Sequence, residues 1–403
     1  MNENIQFQQV RGVGNIVLDL HAQQRVYAFI GENGIGKTKL LESLFLSLLF
    51  THQDIWQNRH LKTALLPFQQ LTSHVSWLPQ QLLFKTQEAE LVISHPNDRA
   101  KWATAIPSLN LPIVYIAAQN RGNIVANEAS IHKMGNRQER LKQYLNTLFD
   151  AFSQEGIIKQ LNSQSNIEEW LIQRAQSANP FQAKEDNREI EIQTLLKLLH
   201  QMDKRIDADF MQIDGSGRVF IQIKQQKLAL FELSSGFTSI LKIFQAIIAG
   251  YGYFTNEAQL EQVRGFVLID EIESHLHNEW QVKIIPLLKQ LFPNTTFFIT
   301  THSSMILTQL QQGEAYRLKR HSDGVVRSLI LTHPNKASLI DLLQEAFDVD
   351  LNRLKIERST PYNQAQAKQH LLSLVQREIQ ALSIGDTVSI GTPSIQTVTK
   401  QND

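Results

Sequence analysis

Apolar and polar positions alternate from Ile5 to Leu20, break at the charged turn His21 to Arg25, and give way to the unbroken apolar run Val26-Tyr-Ala-Phe-Ile30. Alternation with period two predicts strands with one wet face, and the unbroken run predicts a strand buried on both faces. Gly31-Glu-Asn-Gly-Ile-Gly36-Lys37-Thr38 follows at once, and beyond it Leu40, Leu41, Leu44, Leu46 and Leu48 recur at roughly helical spacing. The order is therefore strand, glycine loop, helix. A second buried strand is predicted over Leu111 to Ala118, ending in Gln119-Asn-Arg121-Gly122.

From Asn123 to Ile206 the pattern changes to long amphipathic segments, among them Arg137 to Phe152 and Arg188 to Met202, with loop signals around Ser177 to Asp186. This predicts a helical insertion. Ala208 to Ile213 and Val219 to Ile223 flank Asp214-Gly-Ser-Gly217, a hairpin signal that returns the chain to sheet. Strands over Gly265 to Ile269 and Thr296 to Thr300 then bracket a helix over Trp280 to Leu291, an alternation that predicts parallel sheet. After Gly313 come a polar hairpin-like stretch, helices over Ser338 to Phe347 and Asn363 to Leu382, and a polar tail from Gly385 that is given no structure. The expected organisation is a first half-core at 1–122, the insertion at 123–206, a second half-core at 207–312 and a C-terminal extension at 313–403.

The 403 residues, 42% hydrophobic and 19% charged, suit a packed soluble protein large enough for a sizeable core. Formal net charge is zero, so no global field draws the chain to nucleic acid and any such contact is local. The absence of cysteine excludes disulfides, thiolate metal sites, iron–sulfur clusters and a cysteine nucleophile. The most apolar stretches, Leu44 to Phe50 and Ile240 to Ala249, are too short to cross a bilayer. With no signal-peptide pattern at Met1, a cytoplasmic protein without a membrane partner is expected.

The glycine loop has the spacing of a Walker A motif, whose main-chain amides surround phosphate while Lys37 reaches the β and γ oxygens and the Thr38 hydroxyl joins a Mg²⁺ shell. Gly31, Asn33, Gly34, Gly36, Lys37 and Thr38 are the expected ATP ligands. Gly265-Phe-Val-Leu-Ile-Asp270-Glu271 is an apolar strand ending in two carboxylates. In this Walker B arrangement Asp270 holds Mg²⁺ and Glu271 polarises the attacking water. Thr301-His302-Ser303-Ser304 ends the next strand, which places His302 where it can sense a γ-phosphate. Upstream, Leu233-Ser234-Ser235-Gly236-Phe237 opens a helix N-terminus, an end that attracts phosphate.

These four groups, in this order, resemble the ABC-type ATPases, in the branch that holds SMC, RecF and OLD-like proteins. Ile269-Asp-Glu-Ile-Glu-Ser-His-Leu-His-Asn-Glu-Trp280 looks closest to stand-alone ATPases of anti-phage systems such as Septu, PARIS and retron loci. The resemblance covers roughly Met1 to Phe50 and Phe231 to Leu310. It implies an α/β fold, an ABC-ATPase-type P-loop NTPase with a mixed sheet, a helical insertion and a small C-terminal α-rich extension. It also implies a head-to-tail dimer in which Ser234, Ser235 and Gly236 of one copy cover the ATP on the other. Gln119 matches the Q-loop, a ligand of nucleotide and Mg²⁺, with Arg121 as the alternative in that role; Ser274-His275-Leu276-His277 lies where the D-loop would. The signature departs from that of transporters, having Ser235 for its second glycine and Phe237 for glutamine.

Long SMC-like arms are ruled out by the short, Pro180-containing insertion. Asp348-Val-Asp350 follows an amphipathic stretch and not a buried strand, so a Toprim nuclease centre is not expected, and His275 with His277 lacks the partners of a zinc site. The basic clusters Arg137 to Lys142, Arg317 to His321 and Arg353 to Arg358 read as solvated faces, and are also the places for a nucleic-acid or partner surface. Two functions fit. One is an ATPase that controls a separate effector, a nuclease encoded nearby, when DNA or a phage protein triggers it. The other is a RecF-like ATPase that clamps DNA directly.

Overall fold

The computed structural model describes residues 2–10, 12–21, 24–50, 52, 54, 81–85, 90–94, 110–119, 121–122, 124, 135–153, 161–162, 166–179, 181, 183, 185–350, 353 and 368–377. They fall in two compact units, Met1–Asp348 and Val349–Asp403. In the second, residues 368–377 are helical with Leu371, Leu372, Leu374 and Val375 exposed. The rest of the helix expected over Asn363 to Leu382, the tail, and all of the third basic cluster but Arg353 lie outside the described residues.

The strands of the first unit are β1 (Asn2–Val10), β2 (Gly14–His21), β3 (Val26–Ile30), β4 (Gln81–Lys85), β5 (Glu90–Ser94), β6 (Ile113–Ile116), β7 (Ile206–Ile213), β8 (Val219–Ile223), β9 (Gln226–Ala229), β10 (Gly265–Ile269), β11 (Thr295–Thr300), β12 (Ala315–Arg320) and β13 (Val326–Ile330). Its helices are α1 (Lys37–Phe50), α2 (Arg137–Ser153), α3 (Ile167–Ser177), α4 (Glu189–Met202), α5 (Ser235–Phe254), α6 (Asn278–Gln281), α7 (Ile284–Leu291), α8 (Ser304–Leu307) and α9 (Leu339–Phe347). Ten strands form one mixed sheet in the order β5-β4-β1-β2-β13-β12-β3-β11-β10-β6. Within it β12, β3, β11, β10 and β6 are mutually parallel neighbours, while β12 pairs antiparallel with β13 and β1 with β2.

Alternation along the central strands sorts side chains to two cores. Val26, Ala28 and Ile30 face one side with Val267, Ile269, Phe297 and Ile299, where α3, α4, α5 and α7 pack. Tyr27, Phe29, Tyr115, Leu268 and Phe298 face the other, under α1 and α2. Both faces are covered, which is why these strands read as unbroken apolar runs. Helix α5 comes so close to the sheet that a Cβ at Gly250 would lie 2.3 Å from a Val114 methyl. The outer edge of β6 is closed: Asn162 Nδ2 donates to Tyr115 O (2.7 Å), Tyr144 Oη to Ile113 O (3.4 Å) and Ala117 N to Leu161 O (3.1 Å).

The hairpin around Asp214–Gly217 returns the chain to sheet as expected, to one made of β7, β8 and β9. Two other expectations are corrected by the structure. The stretch after Gly313, placed in the extension, supplies β12 and β13 to the middle of the main sheet, because Ala315, Tyr316 and Leu318 are buried and extend the core. The single helix over Trp280 to Leu291 is two, α6 and α7. Pro286 lacks the amide a continuous helix needs there and is accommodated in the first turn of a new one.

The insertion is pinned by buried charge. Glu191, fully buried, accepts from Arg174 Nε (2.8 Å) and Arg188 Nε (2.7 Å). Arg140 reaches Asn256 (2.6 Å) and lies 3.8 Å from Asp186. These contacts tie α2, α3 and α4 to the end of α5. Among the described residues no helix is long and apolar enough to cross a membrane.

Candidate functional site

Because β3, β11, β10 and β6 are parallel neighbours, their carboxyl ends open on one edge of the sheet. The segments that leave them are the Gly31–Thr38 loop, Thr301-His302, Asp270-Glu271 and the Gln119–Arg121 stretch. Such an edge is where open α/β sheets bind ligands.

The loop is built to bare its amides. Gly31, Gly34 and Gly36 have φ of 150°, 80° and 106°, conformations that side chains disfavour. A Cβ on Gly36 would lie 2.6 Å from Val13, and one on Gly31 2.8 Å from Leu318 O, so the turn between β1 and β2 and strand β12 back the loop closely. Lys37 is buried, its Nζ donating to Gly31 O and Glu32 O at 2.9 Å each. Burial lowers its pKa to about 8, against the pull of Asp270, Glu271 and Glu273.

Thr38 and Asp270 meet across 232 positions of sequence: Thr38 Oγ1 donates to Asp270 Oδ2 at 2.9 Å. Thr300 Oγ1 donates to Asp270 Oδ1 (2.6 Å) and accepts from Glu271 N (2.8 Å). A hydroxyl beside a carboxylate is the hard-oxygen pair that suits Mg²⁺, and the loop's amides at the α1 N-terminus suit the phosphates of a nucleotide. Glu271 adopts φ of 43°, rare for a residue with a side chain. Its pKa is raised by burial, then by Asp270 and Glu273, with Arg121 and Lys37 opposing. The His302 amide donates to Glu273 Oε1 at 2.6 Å, and its ring lies exposed at the rim. Lost hydration and Lys37 lower the imidazole's pKa, with Glu273 and Asp270 opposing.

Gln119 is exposed at the tip after β6, whereas Arg121 is fully buried and turned to backbone carbonyls. Arg121 is thus not positioned to take the place of Gln119 toward a ligand. Ser234 caps α5, accepting from Phe237 N at 3.4 Å; Ser234 and Ser235 are exposed and Gly236 is buried against the segment after Glu271. His275, with φ of 65°, lies against Gly122, and His277 lies against Gly236. Asp348 caps α9 in a left-handed conformation and pairs with Arg317. Arg137 bonds Asp54 and Phe254 O, and Arg320 bonds Val13 O, so much of two basic clusters is engaged within the fold.

Sequence reasoning missed Thr300 and Glu273. Thr300 had a signal, a hydroxyl at the tip of the strand beside Walker B; Glu273 had none, because its contact with the His302 amide depends on the turn's path.

Residues 118–308 match a family described as "AAA domain, putative AbiEii toxin, Type IV TA system". The chain is 24% identical over 333 residues to Septu protein PtuA of Bacillus thuringiensis, covering 80% of this chain and 78% of that one. It is 31% identical over 134 residues to the "Retron Ec83 probable ATPase" of Escherichia coli, covering 29% and 25%. These matches support an ABC/SMC-like ATPase related to anti-phage defence proteins. A further Septu protein PtuA, of Bacillus mycoides, is 22% identical over 77% of this chain but only 39% of its own length. Among solved structures, an SMC head bound to the C-winged helix domain of ScpA aligns with 82% of this chain and 97% of that chain at 11% identity and a TM-score of 0.44. The family match contains Gln119, Ser234 to Gly236, Asp270, Glu271 and His302, while the Gly31–Thr38 loop precedes it.

Proposed function

We propose that this chain binds ATP with Mg²⁺, hydrolyses it, and works in the cytoplasm as a head-to-tail dimer or larger homo-oligomer. In this reading it controls a separate effector, a nuclease encoded nearby, in anti-phage defence. The observation that carries the ATPase reading is the meeting of the Thr38 hydroxyl with the Asp270 carboxylate at 2.9 Å, beside Glu271. The relatives named as Septu and retron proteins support the defence setting.

The amides of Gly31, Asn33, Gly34 and Gly36, with Lys37, receive the phosphates. Thr38 and Asp270, with Gln119, hold the metal, whose charge offsets that developing on the phosphate oxygens. The carboxylate of Glu271 accepts a proton from the attacking water, a task its raised pKa favours. His302 stands at the γ-phosphate end. Ser234, Ser235 and Gly236, at an exposed helix N-terminus, serve the nucleotide held by a second copy.

Light scattering with Mg-ATP tests this: Glu271→Gln retains ATP and accumulates as a dimer, and unchanged turnover in that variant refutes the role of Glu271. Failure of the chain to associate with any product of its neighbouring genes sinks the effector reading. Salt-sensitive, ATP-stimulated DNA binding by the chain alone supports a DNA clamp in its place.

A further inference from the structure

Arg121 is fully buried, with Asp270, Glu273 and Glu271 near enough to favour its charge, and among the described residues its hydrogen bonds go to backbone carbonyls. Nη1 donates to Ala117 O (3.2 Å), just past the end of β6, and to Asp270 O (2.9 Å); Nη2 donates to Glu271 O. Nε has no partner. One planar fork therefore spans the ends of two adjacent parallel strands and binds the two consecutive carbonyls that flank the Glu271 Cα. Burying a guanidinium on neutral acceptors is costly, and burial brings its pKa down to about 10.

What the fork holds is an unfavourable backbone. Glu271 and His275 both have positive φ, 43° and 65°, and such conformations persist only where surroundings over-determine them. Next to Arg121, Gly122 packs on His275 so closely that a Cβ would lie 2.8 Å from its ring. Two consecutive residues of the β6 exit thus grip the turn at both of its left-handed positions.

We propose that Arg121 is a positioning residue for hydrolysis: by holding the Asp270 and Glu271 carbonyls against the exit of β6, it fixes Glu271 in the left-handed conformation that aims its carboxylate at the site. This rests on the reading of Glu271 as the residue that acts on water. A guanidinium is suited to the task because its fork reaches three carbonyls at once, which an ammonium cannot match.

The test compares wild type, Arg121→Met, Arg121→Lys and Glu271→Gln in steady-state ATP hydrolysis and equilibrium ATP binding. Expected for Arg121→Met is ATP affinity within about threefold of wild type and kcat lower by roughly 10–100-fold, the usual cost of losing a group that orients a site residue. Arg121→Lys lies between them. In the Glu271→Gln background, Arg121→Met costs less than about threefold more, since both changes act through one carboxylate. A wild-type kcat in Arg121→Met while Glu271→Gln is inactive overturns the proposal, and so does a parallel fall in affinity and kcat. Wild-type turnover in Glu271→Gln overturns the underlying assignment instead. Should Arg121→Met not fold, Gly122→Ala leaves the arginine in place and displaces His275: kcat falls at unchanged affinity if the turn is held from β6, and unchanged kcat overturns it.

Discussion

Two groups of buried charge in this protein are satisfied in opposite ways. In the insertion, Glu191 lies directly between Arg174 and Arg188 at 2.8 and 2.7 Å, cation on anion. At the strand ends, Lys37 rests on two carbonyls, Arg121 on three, and Asp270 on the hydroxyls of Thr38 and Thr300. The first arrangement spends its carboxylate within the fold, on two guanidinium groups. The second bonds its charges to neutral partners, so among the described residues the Lys37 ammonium and the Asp270 carboxylate form no ion pair with each other.

The contrast is open to measurement. The largest effect belongs to Glu191→Ala, which strands two buried guanidinium groups; unfolding in urea should show a loss of about 3–5 kcal/mol. A change under about 1 kcal/mol would mean the insertion is not held by this pair. Lys37→Ala should do the reverse, leaving the stability of the nucleotide-free protein nearly unaltered. It should weaken ATP binding about 100-fold or more, from charge-assisted bonds of roughly 1.5–3 kcal/mol each, and so erase the rise in melting temperature that ATP gives wild type. Thr300→Val, of similar shape, leaves Asp270 Oδ1 and the Glu271 amide without their hydroxyl. Turnover should drop by the equivalent of about 1–3 kcal/mol at unchanged fold by circular dichroism.

The smallest effect concerns a third kind of buried group, His52, which has no solvent exposure and whose pKa burial brings down from 6.5 to about 4. The unfolded chain then takes up a proton near pH 6.5 that the folded chain refuses until near pH 4, so stability falls as pH drops through that window. His52→Phe should flatten the decline of the urea midpoint between pH 7 and 5. Equal slopes in the two proteins would show that other groups set the acid limit.

What could be read in the sequence was what depends on neighbours along the chain. Val26–Ile30, Gly265–Ile269 and Thr295–Thr300 are strands because their apolar runs are buried on both faces, and the Gly31–Thr38 loop announces itself by spacing alone. Long-range placement was not legible. Nothing in Ala315–Arg320 says that it will pair beside β3, and Asp214-Gly-Ser-Gly217 marks a hairpin without naming its sheet. At the site, residue types suited to a ligand stand out in the sequence, whereas a side chain that binds backbone does not differ there from one that binds a ligand. Two residues from Gln119, Arg121 reads in the sequence as an alternative ligand of the nucleotide, but its contacts are carbonyls that come together only once β6 and β10 lie side by side.

The closed outer edge of β6 bears on symmetry. With the carbonyls of Ile113 and Tyr115 already taken by Tyr144 and Asn162, those two acceptors are withdrawn from any strand another chain could add there, which disfavours polymerising along the sheet. Contacts between copies are then left to other faces. If they form at the strand-end surface, each copy gives and receives the same patch, and a two-fold axis closes the pair so that growth stops at a defined number.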